Sequence, residues 1–201
     1  MKLFMFRPEK DTEDECEKIA YDFAEHVLKN VTCEVIDFSR FNKNVSKFKD
    51  LLMKPQDNGT FFAAYCHGSH SSIHIKCSGD ISIKSYEAEL FKNMYCYFVS
   101  CNTMNELGKA AKENGALGVI GYKDEVWFPL TGADDLESVK RCINPALVSW
   151  IGGMDAKDVY QMVRNAYEKE MDELDASGVH GYHRVILLGI LRANQGSLVF
   201  L

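Results

Sequence analysis

Two stretches of this chain each end in a side chain capable of covalent or acid–base chemistry. Thr60-Phe-Phe-Ala-Ala-Tyr65 empties into Cys66-His67-Gly68-Ser69, and Met94-Tyr-Cys-Tyr-Phe-Val99 empties into Ser100-Cys101-Asn102-Thr103. Short apolar runs rich in aromatics and bounded by small or polar residues read as buried strands. Side by side and parallel, two such strands bring the imidazole of His67 and the thiol of Cys101 to one edge of a sheet. Open α/β sheets hold their chemistry in that crevice. Only a thiolate attacks, and a free thiol ionises near about 8.5. A helix starting just beyond Cys101 and an imidazole within reach would both favour the charged form, and the imidazole would then protonate a leaving amine. Gly68 has no side chain to keep its N–H from a carbonyl oxygen, so with the Cys101 N–H it completes an oxyanion hole. The expected chemistry is that of a His67–Cys101 dyad.

The elements that must position this pair follow from periodicity and punctuation. Lys2 to Phe6 reads as a first strand. Thr12-x-x-Glu15 has the form of a capping box, and Cys16, Ile19, Ala20, Phe23, Val27 and Leu28 recur at helical spacing to about Lys29. Thr32 to Phe38 is a second strand, Asn44 to Met53 a weaker helix, and the Phe61 strand follows a turn over Pro55 to Gly59. This alternation calls for a parallel sheet with right-handed crossovers. Between His67 and the Cys101 strand, Ser72 to Lys76 and Ile81 to Lys84 alternate around Ser78-Gly79-Asp80, which predicts a hairpin or flap. Tyr86 to Asn93 then reads as a short helix. A second apparent capping box, Thr103-x-x-Glu106, opens a helix that Gly115 closes, and Leu117 to Gly121 is the next strand. Two helices are expected over Leu136 to Ile151, interrupted near Asn144-Pro145, and over Asp155 to Glu173. Arg184 to Ala193 reads as a further helix and Ser197 to Leu201 as a last strand. No repeat or low-complexity linker divides the chain, so one domain over 1–201 is expected.

Composition narrows the function classes. A net charge of −6 argues against a broad nucleic-acid footprint, which wants a basic stripe. No run approaches the roughly 18 apolar residues of a membrane span, and the apolar opening before Arg7-Pro8 is too short for a signal sequence. Seven scattered cysteines form no disulfide framework, so a reducing, cytoplasmic location is expected. Cys16, Cys33, Cys66, Cys96 and Cys142 read as packing residues.

Other readings compete for the same residues. Cys66, His67, His70, His74 and Cys77 form a Cys/His-rich tract of the kind zinc uses, but their spacing fits no standard pattern. No metal and no cofactor is expected, and His70 and His74 read as solvent-facing flap residues. A glutamine amidotransferase would place its cysteine between glycines with a late histidine. Val99-Ser-Cys-Asn-Thr103 lacks those glycines, although His180 and His183 lie late in the chain. No Gly-rich phosphate loop follows any strand.

The strand–His67-Gly68 and strand–Cys101 pair resembles the caspase-like peptidases, the group of caspases, gingipains, separase and CHAT proteases. Leu107 to Ala116 followed by Leu117-Gly-Val-Ile-Gly121 is similar to the helix and strand after that family's nucleophile. Pro145-Ala-Leu-Val-Ser-Trp-Ile-Gly-Gly153 and Asp158 to Ala166 resemble its later helices. The likeness covers about Lys2 to Glu173, the first third in element order alone. It implies an α/β three-layer sandwich with a mainly parallel central sheet flanked by helices. It also implies a cysteine endopeptidase with His67 and Cys101 as dyad, Gly68 in the oxyanion hole, no obligatory third residue and no metal. The Gln-Ala-Cys-x-Gly signature of true caspases is absent, so aspartate specificity is not carried over, and the gingipain-like or CHAT-like branch is the nearer match.

In that family the loop after the strand beside the nucleophile builds part of the specificity pocket. Here it runs from Tyr122 to Asp135. Asp124, Glu125, Asp134 and Asp135 could meet a substrate Arg or Lys, or serve as solvated loop and helix-start acids. Trp127 could wall a pocket or fill the core. The expected partner is a protein or peptide substrate, cut after a basic residue, with a regulatory protein or a second copy as further partners and no nucleic acid or membrane. A catalytically silent binding module on the same fold is the alternative.

Overall fold

Every residue of Thr60–Tyr65 is buried, and Met94–Val99 is nearly as enclosed, because both runs lie inside a sheet covered on its two faces. The computed structural model describes residues 1–41, 44–57, 59–76, 81–129, 132–178 and 181–201. In chain order the elements are β1 (Lys2–Phe6), α1 (Glu15–Asn30), β2 (Glu34–Asp37), α2 (Val45–Leu52), β3 (Thr60–Tyr65), β4 (His67–Ser69), β5 (Ser72–Ile75) and β6 (Ile81–Lys84). A 3₁₀ segment, Ser85–Phe91, leads to β7 (Met94–Val99), α3 (Leu107–Glu113), β8 (Gly118–Tyr122), α4 (Ala133–Ile151), α5 (Ala156–Ala176), α6 (Tyr182–Ser197) and β9 (Leu198–Phe200).

The six-stranded sheet has the order β2-β1-β3-β7-β8-β9. Its strands are parallel except β9, which pairs antiparallel with β8. Alternate residues feed opposite faces, as the period of a strand requires. Leu3, Phe61, Ala63, Tyr65, Tyr97, Val99 and Ile120 pack against α1, α4, α5 and α6. Phe4, Phe62, Ala64, Cys96, Phe98 and Val119 pack against α2, α3, the 3₁₀ segment and a small second sheet. The result is an α/β arrangement in three layers. Each fully buried Phe or Leu contributes on the order of 1.5–3 kcal/mol. Strands buried on both faces therefore read as continuous apolar runs.

The expected flap is the second sheet, an antiparallel β4-β5-β6 meander. It begins at His67 itself; Cys77 and Ser78-Gly79-Asp80, between β5 and β6 in sequence, lie outside the described residues. Far from swinging free, it buries Ile73, Ile75, Ile81 and Ile83 in the core. The His70 carbonyl accepts the Leu107 N–H at 2.9 Å, which ties the meander to the start of α3.

Both expected capping boxes resolve differently. Helix α1 starts one turn-residue before Cys16, with Asp14 as its cap: the Asp14 carboxylate accepts the Glu17 N–H at 3.0 Å. Thr12 instead donates its hydroxyl to the buried Glu17 carboxylate at 2.7 Å. After β7 the chain makes a run of turns, and α3 begins only at Leu107 with no side-chain cap. Thr103 donates to the Ser100 carbonyl, and Glu106 accepts from the Ser85 hydroxyl. Helix α4 runs through Pro145 without a break; buried Asn144 binds it to α1 by donating to the Phe23 carbonyl at 2.8 Å. Among the described residues no helix is long and apolar enough to cross a membrane.

Candidate active site

Strands β3 and β7 are parallel neighbours, with Thr60 opposite Met94 and Tyr65 opposite Val99. Their continuations leave the carboxyl edge of the sheet together, which delivers Cys66-His67 and Ser100-Cys101 to one place. The approach is closest at Gly68. A Cβ added there would lie 2.3 Å from the Cys101 carbonyl oxygen and 2.8 Å from its backbone nitrogen. Only glycine fits against that backbone.

A cavity of about 50 Å³ opens at this edge, with His67 and Cys101 both in its wall. Val99, Ser100 and Cys66 form further wall, α1 contributes Cys16 and Ala20, and the segment after β8 contributes Val126 and Phe128. The turn carrying Cys101 is held by that same segment. Asn102, in the left-handed region at φ 60°, donates its N–H to the Asp124 carbonyl at 2.9 Å, and Met104 donates to Tyr122 at 3.1 Å. The Cys101 sulfur accepts the Val126 N–H at 3.3 Å.

The electrostatics of the thiol differ from the expectation. Helix α3 does not start beside Cys101 but only at Leu107. Burial pushes its thiol above the ordinary value, the Val126 N–H opposes this, and the Glu125 charge adds to the rise. A thiol held above its ordinary value needs a base before it can attack. Among the described residues no hydrogen bond joins it to His67. The His67 ring stacks on His74 at 5.6 Å between centroids, its partner across the β4–β5 register. Its Nε2 faces Asp14 Oδ1 at 3.2 Å. A carboxylate only accepts, so Nε2 carries the proton and Nδ1 keeps a free lone pair in the neutral ring.

Asp14 was not singled out by sequence reasoning. It caps α1, faces His67, and pairs through Oδ2 with Lys76 Nζ at 3.3 Å. Burial raises its carboxyl, but the Glu17 N–H, the His67 ring and the Lys76 ammonium outweigh this and hold it below the ordinary carboxylate value. Cys16 was also missed: it is an exposed thiol at the cavity mouth and not a packing residue. Cys66, Cys96 and Cys142 are buried as expected. Burial drives the Cys66 thiol to about 12, and its sulfur lies 3.6 Å from the Ser100 hydroxyl.

The structure does not gather the acidic loop residues around the cavity. Asp124 and Glu125 are exposed. Asp134 and Asp135 occupy the first turn of α4, where they line a separate cleft with Arg141 and Glu170, and Asp135 pairs with His183 at 2.6 Å. Trp127 is 51% exposed and neither walls the cavity nor fills the core. Its backbone is clamped by the buried Asn194 amide, at 2.8 Å to its N–H and 2.9 Å to its carbonyl. That clamp turns Val126 and Phe128 inward and Trp127 out. The loop reaches the cavity beside Cys101 through Val126 and Phe128.

Of the residues in the Cys/His-rich tract, Cys77 lies outside the described residues. Among the described residues no three His, Cys, Asp or Glu side chains are grouped to hold a metal. His180 also lies outside the described residues. No family model matches the chain, and no curated protein matches its sequence.

Proposed function

We propose that this chain is a cysteine endopeptidase of the caspase-like kind, acting on a peptide or protein through His67 and Cys101. One observation carries the reading: the Gly68 backbone lies against that of Cys101 while the His67 ring and the Cys101 thiol share one small cavity. A scissile carbonyl carbon seated on Cys101 Sγ would place its oxygen toward the N–H groups of Gly68 and Cys101. The free Nδ1 of His67 takes the thiol proton as sulfur attacks, and the backbone donors hold the oxyanion. The imidazolium returns that proton to the departing amine. Water, deprotonated by the same nitrogen, then hydrolyses the thioester and frees the acid and the thiol. Asp14 keeps Nε2 protonated and offsets the imidazolium charge. The cytoplasmic setting and any regulatory partner or second copy belong to the same proposal.

The test is cleavage of a peptide library by the wild type and by Cys101→Ala and His67→Ala. Each variant is expected to lose cleavage by about 1,000-fold or more with an unchanged melting temperature. Cleavage that survives Cys101→Ala would contradict the assignment. A second reading, a catalytically silent binding module, is favoured by the raised thiol and by the missing direct His67–Cys101 bond. It predicts no cleavage by the wild type and a Cys101 that a peptidyl electrophile leaves unmodified.

A further inference from the structure

The cavity beside Cys101 limits what a substrate can place there. We infer that, if the chain is the peptidase proposed above, it cuts after a small uncharged residue such as alanine, and not after a basic one. The residue whose carbonyl carbon sits on Cys101 Sγ carries its side chain one bond away, so that side chain is the first to enter the adjoining cavity. The cavity measures about 50 Å³. An apolar cavity of about 150 Å³ holds one benzene ring, so a space a third that size takes about two heavy atoms. A leucine, arginine or aspartate side chain is larger.

The walls point the same way. Ala20, Val99, Val126 and Phe128 present hydrocarbon, and each of the first three is at most 7% exposed. Among the described residues no carboxylate, lysine or arginine lines the cavity. Lys76 and Asp14 are paired with each other, and Glu125, whose charge acts on the Cys101 thiol, is exposed to solvent outside the cavity wall. A charged side chain would therefore be desolvated against apolar walls without a partner, which is strongly unfavourable. One methylene too many in a hydrophobic pocket already changes the rate about 10–200-fold. Ala20 and Val126 set the depth. Ala20 projects from α1, itself fixed by the Asp14 cap, and Val126 is held by its N–H on Cys101 Sγ and by the Asn194 clamp on Trp127.

The experiment uses the whole chain and four peptidyl acyloxymethyl ketones that differ only in the residue bearing the electrophile: Ala, Leu, Arg or Asp. Modification of Cys101 is followed by mass spectrometry with peptide mapping, which separates it from the exposed Cys16. The Ala probe is expected to react with Cys101 at least about tenfold faster than each of the others. A Leu, Arg or Asp probe reacting as fast or faster overturns this specificity and leaves the peptidase reading standing. No reaction with any probe overturns both. In Val126→Ala the Leu probe is expected to gain on the Ala probe by about tenfold, and an unchanged ratio would show that Val126 does not set the depth.

Discussion

Asp14 holds two jobs at once, and two substitutions separate them. Its Oδ1 accepts the Glu17 N–H that caps α1 and also faces His67 Nε2, while Oδ2 faces Lys76. Asp14→Asn keeps an acceptor at Oδ1, and asparagine caps helices as well as aspartate. The cap is kept, while the charge beside His67 and the ion pair with Lys76 are lost. A hydrogen bond to a charged group is worth roughly 1.5–3 kcal/mol net. The Asp14 side chain is 27% exposed, so the lower end applies, about 1.5 kcal/mol or roughly tenfold in kcat/KM. Asp14→Ala removes the cap as well, at about 1 kcal/mol, a fall of roughly 2–4 °C in melting temperature for a chain of this size. It also frees the imidazole to rotate, and kcat/KM should fall about 100-fold, mostly in kcat. The pH dependence has a definite sign. Because the folded Asp14 carboxyl lies below its ordinary value, its stabilisation is complete above the ordinary carboxylate range, around pH 4. It is lost as pH falls through the lower folded value, so the gap in melting temperature between wild type and Asp14→Ala should narrow in acid. The assays are peptide cleavage and calorimetry on the three proteins. If Asp14→Ala melts lower yet cleaves at the wild-type rate, Asp14 is a cap and nothing more.

Gly68→Ala must displace the Cys101 backbone, since its methyl would sit 2.3 Å from the Cys101 carbonyl oxygen. A loss of about 1–3 kcal/mol in denaturant unfolding is expected, with loss of cleavage; full activity would remove Gly68 from the oxyanion hole. Alkylation of the native protein with iodoacetamide should modify Cys16 and Cys101. Cys66, Cys96 and Cys142, buried and with their thiols pushed up, should react only after unfolding, and mapping of the labelled peptides reads the result. Arg7→Ala should cost about 3–5 kcal/mol, because Asp37, 2% exposed and bonded to the guanidinium at 2.6 Å, is left buried without its partner. A chemical-denaturation shift under about 1 kcal/mol would show that water or another group replaces it.

The part of the fold that depends on apolar runs was legible in the sequence. Strands β3 and β7, their parallel pairing, and the convergence of Gly68 with Cys101 follow from two buried aromatic runs that end in small and polar residues. The last strand and the order of helices were readable for the same reason. What depends on side-chain hydrogen bonds was not. Five of the seven residues from Asp11 to Glu17 are acidic, and spacing cannot single out Asp14 among them; only the folded α1 start places it against His67. The Thr103-x-x-Glu106 pattern suggested a helix beside Cys101. The turn is instead held by backbone bonds to Asp124 and Tyr122, partners too distant in sequence to anticipate. The loop after β8 drew attention for its acids, whereas the alternation of Val126, Trp127 and Phe128 carried the usable signal: two apolar residues inward, one outward.

Activation of the Cys101 sulfur by His67 is the central proposal, and the rate at which a peptidyl acyloxymethyl ketone modifies Cys101 measures that coupling directly. Wild type compared with His67→Ala should differ by about 100-fold or more near neutral pH, with both proteins equally folded. Equal rates would mean that the imidazole does not serve the thiol, and the dyad would fall.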